Sequence, residues 1–323
     1  MPPIFIGTRG SALALAQANF IAAACRAAFP ALPFELQIIK TTGDKLQTAS
    51  LAQGDLPKGL FTKELEVALL DGRVDLCVHS LKDLPTELPA GLVLGATPPR
   101  EDVRDVLFTR DPGHLRSAGV KDRRGFGPHV HLRDLPADAV IATSSTRRRA
   151  QLLAARADLR TVEIRGNVAT RLHKLARQPE LDATLLAYAG LRRLGYTVTP
   201  EGRITGTDLP PGLFATVMEL DTMLPCVGQA AIGIEIRGDD ARIADVCARL
   251  NHADTLACVT AERAFLAAMG GGCQAPVAAH ATVSGAELQL RAVSFLRGCQ
   301  RAELRGPRDQ PIALGQQMAE CLR

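Results

Sequence analysis

The feature that most constrains the fold of this chain is an alternation of short β-branched runs with helical patterns over its first two-thirds. Ile4–Ile6 is typical of a buried strand, and the residues after it place Leu13, Ala16, Phe20 and Ala24 at helical spacings of three and four. Strands that alternate with helices favour parallel sheets covered by helices. The sequence therefore predicts an α/β fold with a doubly wound parallel sheet.

The same alternation returns from residue 139. Strands are predicted at Ala139–Ala142, Arg160–Ile164 and Ala183–Ala187, and helices at Thr146–Arg156 and Val168–Arg177. A second set of strands and helices indicates a second doubly wound α/β domain.

The last quarter of the chain has a different pattern. A helix is predicted over His252–Met269, followed by strands at Pro276–Val283 and Leu288–Phe295 with a Ser-Gly turn between them. Neighbouring strands joined by a short turn predict a smaller α+β domain with an antiparallel sheet. The predicted boundaries are 1–101 with 228–247 for domain 1, 102–227 for domain 2 and 248–323 for domain 3.

Composition and cysteine spacing argue against several classes of protein. The chain is 46% hydrophobic but has no run of 18 apolar residues, so neither a membrane span nor a membrane partner is expected. No two of the eight cysteines lie within four residues of each other, which argues against a bound metal. The first residues carry no export signal, so we expect a cytoplasmic protein with reduced thiols. We interpret the Gly- and Pro-rich segments 109–137 and 197–223 as surface insertions.

Positive charge is concentrated in the middle of the chain. Between Arg104 and Asp221 there are 19 lysines and arginines against 13 aspartates and glutamates, whereas the net charge of the whole chain is +4. Aromatic residues are few and no nucleic-acid motif is present, so a small polyanion is favoured over nucleic acid.

Parallel sheets bind ligands beyond the carboxyl ends of their strands. Four such positions combine arginines with small or capping residues, although any one of them could be an ordinary cap beside solvated arginines. The four positions are Arg9 with Ser11; Ser145 with Arg147 and Arg148; Asn167 with Arg165 and Arg171; and Tyr188–Gly190 with Arg192 and Arg193.

Two further segments carry candidate reactive groups. His79–Asp83 places an acid and a base at the end of a predicted strand, although an aspartate before a proline-containing turn is often only a turn former. Gly270–Cys273 places a thiol on a glycine-rich loop, where exposure and nearby arginines would favour reactivity. Three other cysteines lie in predicted strands or helices and are expected to pack in the core: Cys77, Cys247 and Cys258.

Taken together and in order, these motifs resemble the porphobilinogen deaminase (hydroxymethylbilane synthase) family along nearly the whole chain. Single tripeptides among them would mean little, but so many ordered matches make the resemblance specific. The matching segments are Gly7–Ser11, Lys58–Glu66, His79–Pro85, Arg100–Asp102, Thr143–Ser145 with Arg147 and Arg148, Arg165–Val168 with Thr170 and Arg171, Ala189–Gly195, Leu224–Gln229 and Gly271–Gln274.

The resemblance implies a fold and a reaction. The fold has two α/β domains like those of periplasmic binding proteins, an active cleft between them, and a third domain with a cofactor-carrying cysteine. The reaction is that of a transferase in porphyrin and heme biosynthesis, which condenses four porphobilinogen molecules head to tail on a dipyrromethane primer. Each step loses ammonia, and the linear tetrapyrrole hydroxymethylbilane is released. A monomer with only this small-molecule partner is expected.

The resemblance also implies roles for residues at matching positions. Cys273 would hold the dipyrromethane cofactor through a thioether. Asp83 would be the catalytic residue, because a carboxylate near the pyrrole nitrogens stabilises positive charge there and can move protons. The other implied cofactor contacts are Lys82, Ser145, Arg147, Arg148 and Arg171. The implied substrate contacts are Arg9, Ser11, Arg165, Arg171 and Arg193.

A long segment without periodicity runs from Gly43 to Gly59, and we interpret it as a lid that shields the reaction from water. Lys58, Gly59 and Phe61 are its candidate functional residues, and Asp44 is a second candidate carboxylate.

Two points stay open from the sequence. Ala230 stands where the family usually has glycine, which leaves the local backbone geometry undetermined. The alternative function is a non-enzymatic two-lobed binding protein for a small polycarboxylate. Such a receptor would need an export signal and would have no use for the glycine-rich loop before Cys273.

Overall fold

The structure is a computed structural model that describes residues 2–45, 61–272 and 274–323, without the side chains of residues 44 and 45. Up to residue 101 the elements are β1 (Ile4–Thr8), α1 (Ala12–Ala28), β2 (Phe34–Ile38), α2 (Thr42–Lys45), α3 (Lys63–Leu70), β3 (Leu76–Ser80), a 3₁₀ turn (Leu81–Asp83) and β4 (Leu92–Ala96). From 102 to 225 they are β5 (Asp105–Arg110), α4 (Pro112–Ser117), a 3₁₀ turn (Leu132–Asp134), β6 (Val140–Ala142), α5 (Thr146–Ala155), β7 (Arg160–Val162), α6 (Val168–Arg177), β8 (Ala183–Ala187), α7 (Tyr188–Arg193), β9 (Thr197–Val198), β10 (Ile204–Thr205) and β11 (Leu213–Val217). The remaining elements are β12 (Ile232–Arg237), α8 (Ala241–Leu250), α9 (Ala253–Ala268), β13 (Val277–Ser284), β14 (Glu287–Ser294), β15 (Gln300–Pro307) and α10 (Pro311–Leu322).

Contacts divide the chain into two compact units. The first contains Met1–Glu101, Cys226–Cys273 and Val277–Arg323, and the second contains Asp102–Pro225 with Gln274–Pro276. The division into three domains stays a prediction. Among the helices that the structure describes, none combines the length and the apolar character needed to cross a bilayer.

The first unit is built on a five-stranded sheet in the order β2-β1-β3-β12-β4. β1 pairs in parallel with β2 and β3, whereas β12 runs antiparallel to both β3 and β4. Side chains alternate between the two faces of a strand, so Ile4 and Ile6 join the core under α1 and α8, while Phe5 packs with Leu65 and Leu69 of α3. Helices therefore cover both faces of the sheet.

The same unit also contains the C-terminal sheet, which is antiparallel in the order β13-β14-β15. α9 and α10 pack against each other and against this sheet. Gly315 of α10 allows the close approach, because a Cβ there would collide with the carbonyl oxygen of Ala261 in α9.

The second unit has its own five-stranded sheet, ordered β11-β5-β8-β6-β7. β6 pairs in parallel with β7 and β8, and β5 runs antiparallel to β8 and β11. The predicted fold class is confirmed: two α/β units of alternating strands and helices, and a C-terminal antiparallel sheet. The antiparallel strands β5, β11 and β12 make the two large sheets mixed, which the local pattern did not indicate.

The apolar residues whose spacing predicted α1, Leu13, Ala16, Phe20 and Ala24, are not the face that the helix buries. Phe20 is 55% exposed and Leu13 is only half-buried, whereas Ala18, Ile21 and Cys25 are fully buried. The helix is so rich in alanine that apolar side chains occur on every face. Small alanines allow close packing on the sheet, so residue size rather than periodicity decides which face is buried.

The interpretation of 109–137 and 197–223 as surface insertions is also wrong in part. Leu213–Val217 forms β11, which pairs with β5 inside the second sheet and is buried over four of its five residues. Leu132 and Leu135 belong to the core of the same unit. Glycines and prolines in these segments mark turns between short buried pieces.

Ala230 adopts a positive φ of 70° and is buried. This is the left-handed region that favours glycine, and an L-residue there costs about 1–2 kcal/mol. The backbone position therefore keeps the conformation suited to the family's glycine although the residue is alanine.

Candidate active site

Asp83 lies in the 3₁₀ turn that follows β3. The turn is fixed by backbone hydrogen bonds, because the Leu81 N–H donates to the carbonyl of Ala231 at 3.0 Å and the Leu84 N–H donates to that of Leu81 at 3.1 Å. Leu81 and Leu84 are buried, and Asp83 between them is half-buried. Within the described part of the chain the Asp83 carboxylate has no hydrogen-bond or ion-pair partner. It is a positioned carboxylate that can bind a ligand without breaking an internal contact.

His79 is not at the edge of the sheet as the sequence suggested. Its side chain is buried, and Nε2 lies 3.0 Å from Oε2 of Glu235 on the neighbouring strand β12. Glu66 of α3 is also buried, and burial raises the pKa of its carboxyl group. Sequence reasoning missed Glu235, because it reaches β3 through a strand 156 residues further along the chain.

The junction of β1 and α1 holds Ser11 and Arg9. Ser11 is the N-cap of α1, since its hydroxyl accepts a hydrogen bond from the Ala14 N–H at 3.3 Å. The Arg9 guanidinium stacks over the Phe61 ring, 4.3 Å from its centroid. Lys58 and Gly59, the other two predicted lid residues, lie outside the described residues, as does the side chain of Asp44.

Arg147 and Arg148 in the first turn of α5 are buried rather than exposed. Arg147 donates to Oδ2 of Asp105 at 2.8 Å, and Arg148 donates to Oδ1 of the same carboxylate at 2.7 Å. Each guanidinium also binds a backbone carbonyl, of Leu224 and Leu185 respectively. Burial alone would raise the pKa of Asp105, but the two guanidiniums outweigh it and hold that pKa well below its usual range.

Asp105 is the main residue that the sequence analysis missed in this unit. It opens β5 and is fully buried, 42 and 43 residues from its two partners. Two guanidiniums share one carboxylate, so the trio keeps one net positive charge. Ser145 caps α5 beside it and accepts the Arg148 N–H at 3.4 Å. The trio is a preorganised cationic group.

Arg171 differs from that pair because no carboxylate of the described residues binds it. It lies in the first half of α6, which Asn167 caps, and its Nε donates to the Gly166 carbonyl at 2.7 Å. Burial, together with the positive charge of Arg148, lowers the pKa of Arg171 to about 10. A guanidinium held near another cation without a counter-ion is suited to bind a carboxylate from a ligand.

The other predicted arginines are placed less firmly. Arg165 lies 3.5 Å from Glu163 in an exposed pair, and such pairs contribute little to stability. Arg193 is half-buried and lies in the last turn of α7, not the first. Lys82 is half-buried next to Asp83.

Cys273 lies outside the described residues, but its neighbours are described. The carbonyl of Gln274 accepts a hydrogen bond from the Thr146 hydroxyl at 2.9 Å, at the start of α5. The residue after the cysteine is therefore attached to the helix that carries Arg147 and Arg148.

The buried cysteines are as predicted. Burial raises the pKa of Cys247 to about 12 and that of Cys258 to about 11, and it raises the pKa of Cys77 well above its usual value. Such thiols are poor nucleophiles near neutral pH. Among the described residues no cluster of three metal-binding side chains occurs.

Arg100 in the Arg100–Asp102 motif has a structural contact. Its guanidinium binds both carboxylate oxygens of the buried Glu262, at 2.6 and 2.9 Å. Glu262 also accepts the backbone N–H groups of Gly228 and Ala281, at 2.8 and 2.9 Å. This pair ties α9 to the segments around residues 100 and 228.

Comparison with known proteins agrees with the resemblance along the whole chain. Two family models match: "Porphobilinogen deaminase, dipyromethane cofactor binding domain" over residues 4–245, and "Porphobilinogen deaminase, C-terminal domain" over residues 256–323. The porphobilinogen deaminase of Moorella thermoacetica is 45% identical over 100% of this chain and 93% of that protein. That of Desulforudis audaxviator is 45% identical over 98% of this chain and 93% of that protein. Among solved structures, the effector-binding domain of a BenM variant has a TM-score of 0.41 and 17% identity over 77% of this chain and 93% of that one, which adds nothing to the sequence match.

Proposed function

Because the chain belongs to the porphobilinogen deaminase family, we propose that Cys273 holds its dipyrromethane cofactor through a thioether and that Asp83 acts on the pyrroles. The reaction is the family's: four porphobilinogen molecules are joined head to tail with loss of ammonia, and hydroxymethylbilane is released.

The described residues of the second unit fit a ligand with several carboxylates. Each pyrrole carries an acetate and a propionate, so a dipyrromethane needs several cationic groups around it. Arg171 has no carboxylate partner in the part of the chain that the structure describes, and the Asp105, Arg147 and Arg148 trio keeps a net positive charge. We therefore assign the cofactor carboxylates to Arg147, Arg148 and Arg171, beside Ser145. When bound, the cofactor supplies the primer to which the first substrate molecule is joined.

The observation that carries this assignment is the hydrogen bond between Thr146 and Gln274. It attaches the residue next to Cys273 to the first turn of α5, and Arg147 and Arg148 follow Thr146 directly. A group tethered at Cys273 starts from a segment that is bound to the arginine-bearing helix.

Asp83 is assigned to the chemistry because its carboxylate is positioned and has no partner among the described residues. It can accept hydrogen bonds from pyrrole N–H groups and hold a proton as ammonia leaves the substrate. Positive charge that develops on the ring nitrogen during condensation is stabilised by the nearby negative charge. Groups of this kind contribute about 10²–10⁴ to the rate.

The substrate contacts are assigned to Arg9, Ser11, Arg165, Arg171 and Arg193, with Lys82 next to Asp83. The face of the Arg9 guanidinium lies over the Phe61 ring, which orients this cation at the junction of β1 and α1, and we assign it to a substrate carboxylate. Ser11 uses its oxygen as an acceptor in the cap, which leaves the O–H to donate to a carboxylate at the N-terminus of α1.

The lid, a monomeric state and a cytoplasmic location complete the proposal. If residues 43–59 form a lid, protease cutting within this segment should fall when substrate is bound. Unchanged cutting would count against the lid. Sedimentation tests the monomer. The free cysteines among the described residues agree with a reducing compartment.

The proposal is tested by the intact mass of the purified protein. We expect an excess of two linked pyrrole units and a colour reaction with Ehrlich's reagent. Cys273→Ser should remove both, whereas the matched control Cys299→Ser, at an exposed thiol, should keep both. If added porphobilinogen produced no adduct on the wild-type protein, or if Cys273→Ser kept it, the assignment of the cofactor to Cys273 would be wrong.

A further inference from the structure

Arg263 of α9 holds the backbone directly after Asp83. Its guanidinium donates to three consecutive carbonyls: Nη1 to Leu84 at 3.1 Å, and Nη2 to Pro85 at 2.6 Å and to Thr86 at 3.3 Å. One planar side chain thus satisfies three backbone acceptors of an irregular segment. The path of the chain out of the Asp83 turn follows the position of α9.

The same helix face also packs against the turn. Val259 lies four residues before Arg263, so both side chains are on one face of α9. Val259 is fully buried in a cluster with Leu81 and Leu84, the residues on either side of Lys82 and Asp83. Before Asp83, the turn is held by the apolar contacts of Leu81. After Asp83, it is held both by the apolar contacts of Leu84 and by the hydrogen bonds from Arg263.

The C-terminal end of α9 has a fixed exit as well. The Gly270 N–H donates to the Ala267 carbonyl at 2.9 Å, and the Gly271 N–H donates to the Leu266 carbonyl at 3.2 Å. With Gly270 at a φ of 68°, this is a Schellman motif, which requires a left-handed residue after the helix. The motif sets the direction in which the chain leaves α9, two residues before Cys273.

We propose that Arg263 is a positioning residue, which sets the place of Asp83 relative to the segment that leads to Cys273. This inference rests on the proposed roles of those two residues. Arg263 lies five residues before the end of α9, so about 7.5 Å of rigid helix separates its contacts with the Asp83 turn from the exit towards Cys273. The Asp83 turn and the segment that leads to Cys273 are therefore both positioned by the same short piece of α9.

Positioning of this kind affects turnover more than binding. A misplacement of about 1 Å at a reacting group can reduce the rate about 10²-fold. Lysine can keep the charge of Arg263 but offers no planar fork for three carbonyls. We expect Arg263→Gln to lower kcat about 10²-fold with KM changed less than about 3-fold, and Arg263→Lys to recover part of the loss.

The matched control is Arg237→Gln. Arg237 also donates to two backbone carbonyls of the first unit, of Leu69 and Val74, but they belong to α3 and the segment before β3. A general loss of stability should appear in both variants, whereas a loss of kcat per folded, cofactor-loaded molecule should appear only for Arg263→Gln. Intact mass reports the loading, and urea unfolding reports the stability.

A double-mutant cycle with Asp83→Asn separates positioning from a purely structural role. If Arg263 acts through Asp83, Arg263→Gln should cost little further turnover once Asp83 is Asn, so the two effects are not additive. Multiplying effects, or a kcat of Arg263→Gln equal to that of the control, would overturn the inference. Wild-type turnover of Asp83→Asn alone would instead refute the proposed role of Asp83, which is a different result.

Discussion

Two aspartates, one in each unit, carry the same carboxylate group but differ in burial and in the partners that they bind. Asp83 ends the turn after β3, is half-buried and has no partner among the described residues. Asp105 opens β5, is fully buried and gives one oxygen to each of Arg147 and Arg148. The first carboxylate is available to a ligand, and the second is consumed in holding two cations.

The difference shows how the surroundings of a carboxylate decide what it can bind. A carboxylate that is to interact with a ligand must not be neutralised internally, whereas cations that recognise carboxylates must be held in place without losing all their charge. One carboxylate shared by two guanidiniums meets the second need. Arg171 adds a further positive charge near Arg148, and no carboxylate in the described chain neutralises that charge.

The largest expected effect is on turnover, from Asp83→Asn. We expect kcat to fall about 10²–10⁴-fold while the cofactor stays attached, because the amide keeps the shape but lacks the negative charge. Steady-state kinetics and intact mass measure the two quantities. Asp71→Asn, in an exposed pair with Arg73, is the control and should retain turnover. Near-normal turnover of Asp83→Asn would remove this residue from the mechanism.

The next effect is on stability, from Asp105→Asn. Asn removes the negative charge that two buried guanidiniums both bind, so the free energy of unfolding should fall by about 3–5 kcal/mol. Because folding lowers the pKa of Asp105, its contribution to the free energy of unfolding is fully present at pH values above the usual aspartate pKa and is lost as the pH falls below it. The difference from wild type should therefore be constant from pH 5 to 8 and shrink only below about pH 4.

Urea unfolding at several pH values measures this difference, with Asp122→Asn as the control because that carboxylate is exposed. A small loss for Asp105→Asn, equal to that of the control, would mean that the two arginines do not depend on Asp105.

A smaller effect is expected from Arg171→Gln. Arg171 has no carboxylate partner among the described residues, so losing its guanidinium should weaken the binding of ligand carboxylates about 10-fold, measured as a higher KM or slower cofactor loading. Stability should change little, because only the bond to the Gly166 carbonyl is lost. Arg165→Gln, from an exposed pair, should have a smaller effect. Equal effects of the two variants would contradict the distinction between them.

Local patterns predicted the elements whose signals are local. α6 begins and ends at the predicted residues, Val168 and Arg177, because Asn167 provides a cap and the apolar residues have helical spacing. Ser11 and Ser145 act as caps for the same reason. In the second unit the arginines of α5 and α6 follow β6 and β7, which are parallel neighbours, so the topology brings the ends of these two strands to one edge of the sheet.

What the sequence could not predict depends on contacts between distant residues. β12 enters the first sheet between β3 and β4 after Asp102–Pro225 of the second unit has intervened, and no local pattern shows that insertion. Asp105 is an ordinary first strand residue until the fold brings two arginines to it. Arg263 likewise gains its three carbonyl contacts from a turn 177 to 179 residues away.

The most direct test of the account is a time course of intact mass after porphobilinogen is added to cofactor-loaded Asp83→Asn. The account predicts that the variant carries the two-pyrrole adduct at Cys273 and adds further pyrrole units at least about 10²-fold more slowly than wild type. Elongation at the wild-type rate would contradict the account, because the Asp83 carboxylate would then not contribute to the condensation reaction.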